Sequence, residues 1–530
     1  MRLEAIIGNA WLGGAQVEPV RIHLNESHIA RIETGVFVPQ SETHLALSPN
    51  EVLLPGFHDA HLHLITGGLQ MAQIDFGGAT TVDEILERIS AYISTNKPER
   101  GQWIQGHGIE QTEVSVTRTD LDRVCPDNPF FAWTHDLHSA VSNSSALIQA
   151  RIDGAIRNPV GGVFERGRDG KLNGVLREKA AIYVADQIPE PSPDELHASF
   201  LRAQEHALSL GITCASASVR HGLLNAYLNL ADSSDQVLRL NMWKVSTTFD
   251  FEADRFEKRN SKKFRYVCFK GFTDGALGSR TASFWQPYSD DPGNSGELLI
   301  REGPLARFIR SAHREGYQIA MHAIGDRANS VVLDAIEMAG SNGIGPELRP
   351  RIEHCQHLRP RDIERFAKLG VVASMQPVHC TADMNFVRPR LGEERESTSY
   401  AWKSLKDAGA VLAFGSDWPI ESMNPILGLH AAVNRTRPDG FPQGGWHAEQ
   451  TITVQDALLA YSQGAAFAAG WEEQIGKIAE GYLADFCVLD ENPFKINPCD
   501  LHRIQVTRTI VNGQSVYSSP NSSRISSSIR

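Results

Sequence analysis

Short apolar runs recur along the middle of this chain, and polar stretches with helical patterning separate most of them. The strand-like runs lie near 53–58, 212–216, 238–244, 266–270, 317–321, 350–353, 371–375 and 411–416. The segments LRAQEHALSLG, PLARFIRSAHREG, RDIERFAKLG and YAWKSLKDAG place apolar residues three and four apart. That period lays one face of a helix on a core. Eight strands alternating with helices predict an α/β fold, a (β/α)8 TIM-like barrel over 53–472, because parallel strands need a long crossover and a helix supplies it.

The two ends of the chain differ from the middle. Residues 1–52 hold short β-type runs (EAIIGNAWL, VRIHLN, HIARIE), and 473–517 hold ADFCVLD and VTRTIVNGQSVY. Strands too few at either end to bury their own faces predict one small β-sandwich built from both termini. The interval 67–200 is too long for one connection after the first strand. It reads as an inserted subdomain over the barrel mouth, since catalytic-face loops accept additions. The polar, low-complexity tail 518–530 predicts disorder.

Composition narrows the class further. The chain has 530 residues, 41% hydrophobic and 22% charged, with a net charge of −12. An acidic balance argues against nucleic acid or an anionic membrane as partner. No apolar run reaches the roughly 18 residues of a membrane span, and no secretory leader is evident. Seven scattered cysteines without a C-x-x-C pair suit reduced, buried thiols, so a cytoplasmic location is expected.

The chemistry lies where the strands end. The run LLPGFHDAHLH closes on His61 and His63, two residues apart and therefore on one face of a strand. Lys270 ends YVCFK, His322 ends YQIAMH, His354 ends PRIEH and Asp417 ends VLAFGSD. Barrel active sites lie at the carboxyl ends of the strands, where this set would converge. Imidazoles with a carboxylate suit Zn²⁺. His107 and His138 in the insertion, Asp274 after the fourth strand and Trp418 beside Asp417 are candidates to contact substrate.

These residues sit in longer motifs: LLPGFHDAHLHL, FTDGALGSRTA, MHAIGDRA, RIEHCQHLRPRDIERFAKLGVVASMQP, FGSDWPIESMNP and GKIAEGYLADFCVLDENP. Together they span almost the whole chain and resemble the amidohydrolase superfamily of metal-dependent hydrolases, in particular the branch that includes N-substituted formamide deformylase. The resemblance implies two divalent ions, most simply zinc. His61 and His63 would hold the inner ion with Asp417, His322 and His354 the outer one, and Lys270 would bridge both as a CO₂-derived carbamate. It also implies hydrolysis of a small amide by a metal-bridging hydroxide, with Asp417 as the proton shuttle, and a homodimer. Other readings on the same barrel are a mononuclear deaminase, an ester or lactam hydrolase, and a non-catalytic scaffold. The chain departs from the family at His58, where an apolar residue is usual, and at CASASV, which lacks an expected acidic residue.

Overall fold

A computed structural model of the protein describes residues 2–41, 43–110, 115–134, 138–219, 221–231, 233–340 and 348–520. The tail beyond 520 lies outside the described residues.

The eight barrel strands are Phe57–Leu62, Ile212–Val219, Arg239–Val245, Phe264–Phe272, Gln318–Ala323, Arg351–His354, Val372–Met375 and Leu412–Phe414. Each pairs in parallel with the next in chain order. The short strand Arg259–Asn260 pairs antiparallel with the fourth. Strands one and eight share no ladder, but polar bonds stitch the seam. The Asp417 N–H donates to the His61 carbonyl at 2.6 Å, and the Ser416 hydroxyl to Asp59 Oδ2 at 2.6 Å. The result is a nearly closed parallel barrel, the predicted fold.

The first apolar run is two strands and not one. Val52–Pro55 pairs with Phe486–Leu489 and Ala5–Ala10 in a separate sheet, and the barrel strand starts only at Phe57. Gly56 marks the crossing, because a Cβ there would lie 2.2 Å from Thr213 Oγ1. Only glycine leaves room for the Thr213 side chain there. The separate sheet has eight strands and draws on both ends of the chain. Its order runs Gln514–Ser518, Val506–Val511, Phe486–Leu489, Val52–Pro55, Ala5–Ala10, Glu18–Asn25 and His28–Thr34, with His44–Ala46 beside Ala5–Ala10. Alternating residues such as Ile6, Ile22, Leu53, Phe486, Val488 and Ile510 form its apolar core.

Residues Ile65–Ala203 form a second compact unit. It carries a six-stranded sheet from Ile74–Asp75 to Gly162–Arg166. Its helix Val82–Asn96 starts at a capping box between Thr81 and Glu84. Phe76, Ile85, Ile89 and Phe130 pack as a core within the unit. Among the described residues no helix is long and apolar enough to cross a membrane.

Candidate metal centre

The strand ends bring the expected histidines together. The rings of His61 and His354 are 5.0 Å apart between centroids, those of His322 and His354 4.6 Å, and those of His61 and His63 5.7 Å. Asp417 Oδ1 lies 3.6 Å from His61 Nε2 and 3.1 Å from His63 Nε2. Three of these rings are fixed by a bond on the nitrogen that faces away. His61 Nδ1 meets Glu353 Oε2 at 2.8 Å, His354 Nδ1 meets Gln376 Oε1 at 2.9 Å, and His322 Nε2 meets the Gly275 carbonyl at 3.0 Å. All three partners accept, so those nitrogens carry the proton and the opposite ones present a bare lone pair. Burial pushes His61 down to about 4 and His322 to about 3, helped in both by the Lys270 charge. Burial and the neighbouring His322 likewise hold His354 well below the ordinary range. Neutral imidazoles with outward nitrogens anchored are what metal ligation requires.

The carboxylate and the lysine complete the set. Burial alone would raise Asp417, but the imidazoles of His61 and His63 outweigh it and hold the carboxyl well below its usual range. Lys270 is buried and its Nζ has no hydrogen-bond partner among the described residues. Desolvation lowers its amine from 10.5 to about 8. His354 and Asp417 also hold left-handed backbone, at φ +79° and +59°. Non-glycine residues seldom do so, and such strain costs on the order of 1–3 kcal/mol where the surroundings enforce it. Divalent ions fit this donor set: His61, His63 and Asp417 offer ligand atoms within 4.8 Å of one another, His322 and His354 offer two more, and an unpaired buried amine stands among them.

Below the histidines the barrel interior is polar. Arg351 and Glu353 form a wholly buried ion pair at 2.5 Å. Ser374 donates to Glu353 Oε2 at 2.7 Å, and Arg351 Nη2 reaches the Ala60 carbonyl at 2.9 Å. Glu353 thus orients His61 and neutralises Arg351 together. Removing one partner of a buried pair costs about 3–5 kcal/mol, and loss of an outer-shell carboxylate costs about 10–100-fold in metal affinity. Glu353→Ala is therefore expected to lower the unfolding free energy by that amount and to weaken binding of a divalent ion. Denaturant melts and metal titration check it; an unchanged melt would remove Glu353 from this role.

Other candidates behave differently. Asp274 is pushed up to about 7 by burial, against three backbone N–H donors at Ser283, Ile324 and Gly325. It fastens the loop after strand four to the end of strand five. The Trp418 carbonyl accepts the His63 N–H at 2.7 Å and its buried ring lies 5.9 Å from His206. His107 lies in the second unit, half-buried and 3.9 Å from Asp75. His138, in the same unit, is exposed and meets Glu178 at 3.1 Å. The two departures from the family pattern touch each other: His58 Nε2 and Ser216 Oγ, of CASASV, are 3.0 Å apart in the buried barrel wall. Sequence reasoning missed Glu353, Gln376 and His379. The first was signalled by charges two residues apart in the strand RIEH and Gln376 by its place directly after strand seven, whereas His379 lies within the helix that follows.

Profile comparison matches residues 50–517 to the Amidohydrolase family. The chain belongs to the amidohydrolase family. Protein LONG AFTER FAR-RED 3 of Arabidopsis thaliana is 34% identical over 88% of this chain and 82% of its own. N-substituted formamide deformylase of Arthrobacter pascens is 26% identical over 90% of each. The crystal structure of an uncharacterized metal-dependent hydrolase from Pyrococcus furiosus superposes with a TM-score of 0.74 at 29% identity, covering 93% of this chain and 99% of that one. The protein is thus an amidohydrolase-family hydrolase, of a metal-dependent kind, and His61, His63, His354 and Asp417 belong to its candidate metal-binding groups.

Proposed function

We propose that the protein hydrolyses the C–N bond of a small amide, an N-substituted formamide or close relative, using two zinc ions. His61, His63 and Asp417 would hold one ion, His322 and His354 the other, and Lys270 would join them as a carbamate. The observation that carries the two-ion reading is the Lys270 amine. It is buried without a hydrogen-bond partner among the described residues, and its charge acts on His61, His322 and His354 alike. A lysine cation cannot sit between two cations, whereas the anion formed with CO₂ can, and an amine near 8 offers the neutral form that reaction needs.

When bound, the ions would lower the pKa of a coordinated water and polarise a carbonyl oxygen. The protein's own residues handle the protons. Asp417, kept ionised, takes the proton of the attacking water and delivers it to the departing amine. Glu353, Gln376 and the Gly275 carbonyl keep three imidazoles in the ligating tautomer throughout. The amide choice is supported by the likeness to N-substituted formamide deformylase. Zinc-loaded protein presented with formamides, acyl-amines, lactams and esters tests it. N-substituted formamides are expected to show the highest kcat/KM. Faster turnover of esters or lactams would overturn the substrate class.

A further inference from the structure

His379 belongs to the first turn of the helix Pro377–Leu391, which follows barrel strand seven. It is buried, with its ring nearly parallel to that of His354 at 6.2 Å. Nε2 faces Asp417 Oδ2 at 3.9 Å. That is too long for a hydrogen bond, and Nε2 has no hydrogen-bond partner among the described residues. A buried polar atom left unpaired in a reactive centre calls for a ligand.

The opposite ring nitrogen decides what kind of ligand. Gln356 Nε2 lies 3.4 Å from His379 Nδ1. With the Gln356 amide nitrogen on that side, Nδ1 accepts and the imidazole proton sits on Nε2. His61 and His354 are arranged the other way, with the proton on Nδ1 and Nε2 bare. The spacing of His354, His379 and Asp417 would admit a three-ligand cluster. An N–H, however, has no lone pair to offer an ion.

We infer that His379 is a hydrogen-bond donor to the carbonyl oxygen of the substrate, and not a metal ligand. The assignment rests on the amide-hydrolysis reading for the identity of that oxygen. As the carbonyl carbon is attacked, negative charge grows on the oxygen, and a preplaced N–H in a buried site gains strength in step. Asp417 and His379, neighbours at 3.9 Å, then act on one reacting group, one accepting a proton and the other donating a hydrogen bond without giving its proton up. Gln356 is the positioning residue, since it fixes the tautomer.

The test pairs His379→Ala with His379→Gln, whose amide restores a donor. Zinc content and zinc affinity are expected to stay within about twofold of the parent in both. Loss of one such donor typically lowers kcat by about 10²–10³-fold, expected for His379→Ala, with His379→Gln recovering a tenfold part of it. Nitrogen NMR of ¹⁵N-histidine protein without metal, assigned through His379→Gln, should report the Nε2–H tautomer. A drop in zinc affinity of tenfold or more, or an Nδ1–H tautomer, would make His379 a ligand and overturn the inference. So would an unchanged kcat in His379→Ala. If no amide is turned over by the parent, the substrate reading fails by itself, and the zinc titration and tautomer still decide between donor and ligand.

Discussion

Asp417→Asn is expected to lower kcat by roughly 10²–10⁴-fold, the usual contribution of a positioned general acid–base group, with metal content only partly reduced. Asparagine keeps the size of the side chain and one oxygen for an ion, but its amide cannot take up a proton. The parent carboxylate is held well below its usual range, with His63 Nε2 at 3.1 Å, so it is ionised and able to accept at neutral pH. Its left-handed backbone, at φ +59°, sets the side chain over the barrel seam, where its N–H also closes the gap to strand one. Measuring kcat beside metal stoichiometry separates the two duties. A kcat within a few-fold of the parent would exclude Asp417 as the proton shuttle.

Lys270→Ala is expected to abolish activity while the fold survives, and to leave the protein near one ion per chain. Alanine removes the bridge, so short carboxylic acids such as acetate should restore part of the activity by supplying another. The pH dependence carries a sign. Desolvation brings the Lys270 amine down from 10.5 to about 8, and CO₂ reacts only with the neutral amine. Reloading metal-free parent protein with zinc at a fixed concentration of dissolved CO₂ should therefore speed up as pH rises, with a midpoint near 8. Burial keeps His61 and His322 neutral well below that range, so they add no step between pH 6 and 8. A midpoint near the ordinary lysine value, or full metal content in Lys270→Ala, would contradict the bridging role.

Much of this was legible in the sequence because a barrel repeats one rule eight times. Apolar runs fix the strands, and polar residues at their carboxyl ends mark the catalytic face, so His61, Lys270, His322, His354 and Asp417 stood out as candidates by position. The first strand was displaced because LLPG and FHDAHL read as one apolar run. What divides them is a close approach of Gly56 to Thr213, a tertiary fact with no periodic trace. His379 escaped for a similar reason: it lies inside a helix, and only the path of that helix brings Nε2 beside Asp417. Asp274 illustrates the converse. Its place after a ligand-bearing strand suggested contact with substrate, but its oxygens are taken by three backbone N–H groups that sequence does not reveal. Residue type and spacing locate donors, whereas which lone pair remains free depends on partners distant in the chain.

The most direct test is elemental analysis of the purified protein, with hydrolysis followed through chelation and zinc readdition. The account predicts close to two divalent ions per chain, loss of hydrolysis on chelation, and its return as zinc is restored. Full hydrolytic activity in protein stripped of metal would contradict it.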